Sequence, residues 1–200
     1  MLSKAQADEQ WVLEKQKKGI AVHTRIPAGE RFKEFKATAT INSSVESIVA
    51  LLLDTEAAPQ WYNHIESAKI IQQITDAEGI VYFHLNLPFP VTDRDMVSYV
   101  KYSYDSITGE VRSIVESRHD AIPRHNKVIR IEKIYGSWSF KPIEPGKTEL
   151  VYQYFTDPKG NIPAWAVNMF IVDEPFKSLE NMREFVQQEK YQKAQVSFMR

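Results

Sequence analysis

Few side chains in this chain of 200 residues are arranged for covalent chemistry. It has no cysteine, which excludes thiol nucleophiles, disulfides and thiolate metal sites. Gly136-Ser-Trp-Ser-Phe140 comes nearest to a serine-hydrolase elbow, but it lacks the second glycine and ends a strand. No phosphate-cradling loop or dinucleotide fingerprint occurs. The five histidines, His23, His64, His84, His119 and His125, are scattered along the chain. His119, Asp120 and His125 flank one loop, yet a zinc site needs three or four convergent ligands, so no metal or cofactor is expected. Asp93-Arg94-Asp95 places three charges at a strand entrance, where an arginine held between carboxylates would clamp the preceding loop. Tyr102 and Tyr104 could act as acid or base if they point inward.

Composition narrows the field further. The chain is 43% hydrophobic and 12% aromatic, with a formal net charge of −1. That charge gives no long-range field for nucleic acid, and the tryptophans and tyrosines are not interleaved with a basic stripe. The polar first 18 residues carry no signal-peptide core, and Ile48-Val-Ala-Leu-Leu-Leu53 is far short of the roughly 20 apolar residues a spanning helix needs. The expectation is a soluble, cytoplasmic protein. One loop, 118–126, is locally basic: Arg118, His119, Arg124 and His125, with Lys127 just beyond Asn126, surround an apolar Ile122-Pro123 tip. It suits transient contact with anionic lipid headgroups, the plain alternative being a solvated loop.

The elements that would position these groups follow from periodicity. Residues 5–18 read as a short amphipathic helix, anchored by Trp11 and Leu13 and ended by Gly19. Residues 20–26 and 32–41 read as a hairpin around Pro27-Ala-Gly29. Ser43-Ser-Val-Glu46 is a capping box for a helix carrying Ile48 to Leu53, and Pro59-Gln-Trp61-Tyr62 adds a short helix or turn. Strands are expected at 67–74, 79–87, 94–104, 110–118, 127–140 and 148–156, with tight turns between them, as in an antiparallel meander. Ile162-Pro163 opens a long helix with Asn168, Val172, Pro175, Leu179, Met182 and Val186 on one face and a kink at Pro175.

The fold class is therefore α+β: a curved antiparallel sheet wrapped around a long C-terminal helix. One helix cannot fill the concavity of so wide a sheet, which leaves an internal hydrophobic cavity. Strand parity names its lining as Val81, Phe83 and Leu85 on one strand and Met96, Ser98, Val100 and Tyr102 on the next. Val115, Ile129 and Ile131 continue the wall, and Asn168, Val172, Pro175 and Leu179 close it. For each of these, packing in an ordinary core is the competing reading.

Several motifs occur in an order that resembles the steroidogenic acute regulatory protein-related lipid-transfer (START) domain family, over about residues 11–186. They are Trp11 with Gly19-Ile-Ala-Val22, Phe32-Lys-Glu-Phe35, Trp61, and Pro88-Phe-Pro-Val-Thr-Asp-Arg-Asp-Met-Val97. Gly136-Ser-Trp138, Thr148, Asp157-Pro-Lys-Gly160, Ile162-Pro163 and Asn168 follow. The resemblance implies a single helix-grip domain over residues 1–200, with its core at about 11–189. It also implies a tunnel for one hydrophobic ligand, a lipid or sterol-like molecule, held for transfer or sensing without catalysis. Loop 118–126 would gate the tunnel against the helix. Sterol-binding members often carry a buried acid–base pair; the matching positions are Val81 and Val100, so any polar handle comes from elsewhere, with Asn168, Tyr102 and Ser98 as candidates. An aromatase/cyclase-like enzyme acting on a polyketide-type substrate is the alternative within this fold, and a scaffold with a vestigial cavity is a third.

Overall fold

Turn chemistry decides the first part of the structure. The computed structural model describes residues 10–200. Strands β1 (Val12–Lys17) and β2 (Ile20–Arg25) pair around Lys18 and Gly19, whose φ angles are 52° and 66°. Two successive positive φ values make the tight turn whose twist matches a hairpin. Gly19 therefore turns a hairpin instead of capping a helix, and the second half of the helix expected over 5–18 is a strand. Residues 5–9 lie outside the described residues.

β3 (Glu34–Ile41) leads to α1 (Val45–Leu53) and the one-turn helix α2 (Ala58–Trp61). The cap of α1 sits one residue later than the capping box places it. Ser44 Oγ accepts the Ser47 amide at 3.1 Å, and the Glu46 carboxylate instead accepts the amide of Val196 at 2.7 Å. The meander then runs through β4 (Ile65–Thr75), β5 (Glu78–Leu85), β6 (Arg94–Tyr104), β7 (Val111–Ser117), β8 (Ile129–Arg130), β9 (Lys133–Glu144) and β10 (Lys147–Asp157). The sheet order is β1-β2-β3-β10-β9-β7-β6-β5-β4, antiparallel throughout, curved and not closed. β8 alone is parallel, beside Arg94 and Asp95 of β6. β7 pairs with β6 only from Ser98 onward, and β8 fills the slot beyond its end. This splits the strand expected at 127–140.

Two buried arginines fix this corner. Arg130 makes a two-pronged ion pair with Asp95, Nε to Oδ1 at 2.8 Å and Nη2 to Oδ2 at 2.9 Å, and both side chains are 1% exposed. Its remaining donors reach the carbonyls of His119, Ile122 and Pro123, which pins loop 118–126 to the sheet. Arg94 is held by carbonyls instead of the expected carboxylates: Thr92, Pro158 at 3.3 Å and Lys159 at 3.2 Å. Asp95 is committed to Arg130, while Asp93 accepts the Leu87 amide at 2.9 Å.

The long C-terminal helix comprises α3 (Ala164–Asn168), a π-turn (Met169–Asp173) and α4 (Glu174–Phe185), followed by α5 (Glu189–Gln192). In the π-turn the Glu174 amide bonds back to the Met169 carbonyl, one residue farther than an α-helix reaches. Among the described residues no helix is long and apolar enough to cross a membrane. The core runs between the sheet's inner face and α4, where Leu179, Met182 and Val186 are fully buried.

Removing one partner of a buried ion pair strands the other, at a cost of about 3–5 kcal/mol. Asp95→Ala is therefore expected to lower unfolding free energy by about that amount in a denaturant titration, while Glu189→Ala, on an exposed pair, changes it by less than about 0.5 kcal/mol.

Candidate functional site: a partitioned tunnel

Three cavities lie in a row between sheet and helices, and shared side chains divide them. The front cavity, about 80 Å³, is bounded by Phe32, Phe35, Tyr62, Asn63, Ile65, Leu85, Arg94, Met96 and Ile131, with Tyr152 and Tyr154 of β10, Pro158 and Ile162 of the following loop, and Val167, Phe170, Ile171 and Glu174 of the helix. The middle one, about 60 Å³, lies behind Tyr62, Met96 and Tyr154 and is closed by Leu52, Phe83, Val100, Tyr102, Val115 and Trp138. The rear one, about 70 Å³, lies behind Phe83, Val100 and Tyr102, against Ile70 and Val81 and the β4–β5 turn at Ala77 to Gly79. At that end Phe198 stacks on Tyr102, ring centroids 5.7 Å apart.

The sequence builds the walls by strand alternation. Val81, Phe83 and Leu85 face inward from β5, whereas Tyr82 and His84 face outward, Tyr82 beneath the ring of His125 and His84 beside Glu66 and Asp93. Met96, Val100 and Tyr102 do the same from β6. Glycine makes room on β9. A Cβ at Gly136 would stand 2.7 Å from Cε2 of Tyr154 on the facing strand, so only glycine lets that ring lie over the sheet. Two residues on, Trp138 stacks flat on Tyr152, centroids 3.7 Å apart, and Phe35 meets Tyr152 edge-on at 4.8 Å. This aromatic ladder forms the floor of the front and middle cavities, and parity reasoning, confined to the apolar strands, does not find it.

Other expected lining residues stand elsewhere. Ser98 is buried and borders none of the three cavities. Ile129 is half-buried beside Gly160. Pro175 and Leu179 are buried in the core and border none of the three cavities. Asn168 is exposed and Val172 half-buried. The π-turn is the cause: one extra residue rotates the preceding helix by roughly 100°, so Val167 and Ile171 take the inward positions. Loop 118–126 borders none of the three cavities; the residues at the front are Phe32, Asn63, Pro158 and Ile162. Glu132 joins the two loops there, its carboxylate held down to about 2 by Lys159 and Arg124.

The polar atoms of the tunnel gather at the front and middle. The hydroxyls of Tyr62 and Tyr152 hydrogen-bond each other, and burial pushes both well above the ordinary tyrosine range. Tyr102 and Tyr154 are raised in the same way. A buried Tyr102 hydroxyl held protonated does not serve as a base near neutral pH. Glu174 is a buried carboxyl pushed up to about 8 by burial, with Ser178 Oγ donating to it at 2.8 Å.

Comparison with known proteins fits this geometry. The chain is 31% identical over 175 residues to an uncharacterized protein of Pseudomonas aeruginosa, covering 88% of this chain and 86% of that one. It is 23% identical to human phosphatidylcholine transfer protein, over 82% of this chain and 78% of the relative. The crystal structure of a STAR-related lipid transfer protein fragment from Xanthomonas axonopodis superposes with a TM-score of 0.80 at 29% identity, covering 89% of this chain and 99% of that one. The START domain profile matches residues 1–192, and the chain belongs to that family.

Proposed function

We propose that this protein binds one hydrophobic ligand of lipid size in the tunnel and carries or senses it without catalysing a reaction on it. The observation that carries this reading is the row of three cavities separated only by side chains. Sites for small molecules run to roughly 300–1,000 Å³, more than the three cavities hold between them, so a lipid-sized ligand enters only when Met96, Tyr62 and Tyr154, and then Phe83 and Tyr102, swing aside and both join and widen the cavities. Methionine is well suited to such repacking because it has three rotatable bonds. Desolvation supplies the affinity: burying ~300 Å² of ligand apolar surface is worth about 7 kcal/mol before the entropy of association. The whole chain is read as one lipid-binding unit with its core at about 11–189.

A carrier must also meet a membrane, and the front of the tunnel is the face that supports such contact. Phe89 is 96% exposed between Pro88 and Pro90, in the loop whose two ends, Leu85 and Arg94, line the front cavity. Ile122 lies in the neighbouring loop 118–126, whose Arg124 is engaged by Glu132 at 2.6 Å. In this reading Phe89 enters the interface and loop 118–126 rests beside it on the headgroups.

Native mass spectrometry of the purified protein, followed by organic extraction, is expected to find one hydrophobic molecule per chain. Val100→Trp, which fills the junction of the middle and rear cavities, is expected to abolish that occupancy while the protein stays folded. Full occupancy in the variant overturns the tunnel assignment. In a vesicle-to-vesicle transfer assay, Phe89→Asp is expected to slow transfer about tenfold or more. Arg124→Glu is expected to slow it by a smaller factor, and only with anionic vesicles, because each basic residue near such a surface adds about 1 kcal/mol.

A further inference from the structure

Among the described residues Glu174 is the one carboxyl that borders the front cavity. Its residue is 7% exposed, and among the described residues its hydrogen bond comes from Ser178 Oγ, one turn along α4, with no lysine, arginine or histidine paired to it. Burying a carboxyl without a cation is costly, and a protein with no use for it would place an apolar residue there. The neighbouring charges are all committed. Arg94, across the same cavity, donates to the carbonyls of Thr92, Pro158 and Lys159. Asp173 pairs with Lys15 at 2.7 Å on the outer side of the helix. The remaining groups facing the carboxyl are the rings and hydroxyls of Tyr62, Tyr152 and Tyr154, all of which line the same cavity. A buried carboxyl beside tyrosine rings is complementary to an ammonium group, which gains a counter-charge from the first and a cation–π contact from the second.

We propose that Glu174 is the counter-charge for a cationic head on the ligand, so that the tunnel takes an amine- or quaternary-ammonium-bearing amphiphile with its head in the front cavity and its chain running toward Val100 and Tyr102. This rests on the tunnel reading above. It also makes binding proton-coupled. Burial holds Glu174 up to about 8, so at neutral pH the carboxyl keeps its proton. The arriving cation favours the carboxylate, the O–H bond breaks, and the proton leaves to solvent as the ion pair forms. Binding of the cation therefore tightens about tenfold per pH unit on approaching pH 8 from below, and levels off above it. A neutral ligand shows no such dependence.

The test uses the full chain and two probes of one length, decyltrimethylammonium and decanol, each titrated calorimetrically from pH 6 to 9 in buffers of different ionisation enthalpy. The expected result is that both bind. Only the cation should release nearly one proton at pH 7 and show the rising pH profile, and Glu174→Gln should weaken the cation at least tenfold while leaving decanol unchanged. Equal, pH-independent binding of both probes to both proteins overturns the role of Glu174 and leaves the tunnel intact. Binding of neither probe to the wild-type protein overturns the tunnel reading and this inference with it. Fold is checked separately, and the sign is fixed. The folded chain holds a proton on Glu174 that the unfolded chain gives up near pH 4.5, so the thermal midpoint declines as pH rises from about 4.5 to 8. Glu174→Gln should flatten that decline. A variant that is folded but keeps the wild-type slope assigns the titration to another group and overturns the proposal.

Discussion

The Asp95–Arg130 pair holds together the part of the molecule on which the rest depends. It joins β6 to β8, and through three carbonyls it gathers loop 118–126 onto the end of the sheet. Each ion costs several kcal/mol to desolvate, and the pair is tolerable because the guanidinium and the carboxylate satisfy each other in two parallel bonds. Apolar residues in its place would avoid that desolvation cost, but would leave the carbonyls of His119, Ile122 and Pro123 without their donor and loosen the loop. Arg94 does for loop 158–160 what Arg130 does for loop 118–126. Together the two guanidinium groups let β6 begin, with exposed loops on either side, at the front of a tunnel.

Behind that front the sheet is wider than the helix it grips. The tunnel is the geometric remainder, and its inner surface is divided by side chains that also belong to the core. Phe83, Met96 and Tyr154 each stand at a boundary between cavities. In the proposed reading, packing and ligand binding fall to the same atoms, so Phe83 and Val100 count both as core and as lining.

Much of this was legible in the sequence wherever period-2 alternation ruled. The cavity-facing positions Val81, Phe83, Leu85, Met96, Val100 and Tyr102 follow from parity, because alternate side chains of a strand point to the same side of the sheet. The first hairpin was not legible, because Gly19 with φ of 66° serves equally as a helix C-cap and as a hairpin turn. Asn168 was misplaced for another reason. The i+3/i+4 spacing assumes an uninterrupted 3.6-residue period, and nothing in Met169-Phe-Ile-Val-Asp173 announces a wider turn. Glu174 reads as an ordinary helical acid beside a proline. Its burial comes from the sheet opposite, which local pattern does not report.

The π-turn also separates two design problems that one continuous helix would couple. Residues up to Glu174 meet the front loops and the front cavity, while residues farther along meet the core at Leu179 and Met182. Because the extra residue breaks the phase, the apolar repeat of the first half need not be in step with the second. Substitutions in the anterior segment can then drift to suit a different cargo without detuning the posterior one. The turn works as a clutch in the sequence, letting the cavity-facing segment that ends at Glu174 and the core segment beyond it keep separate phases.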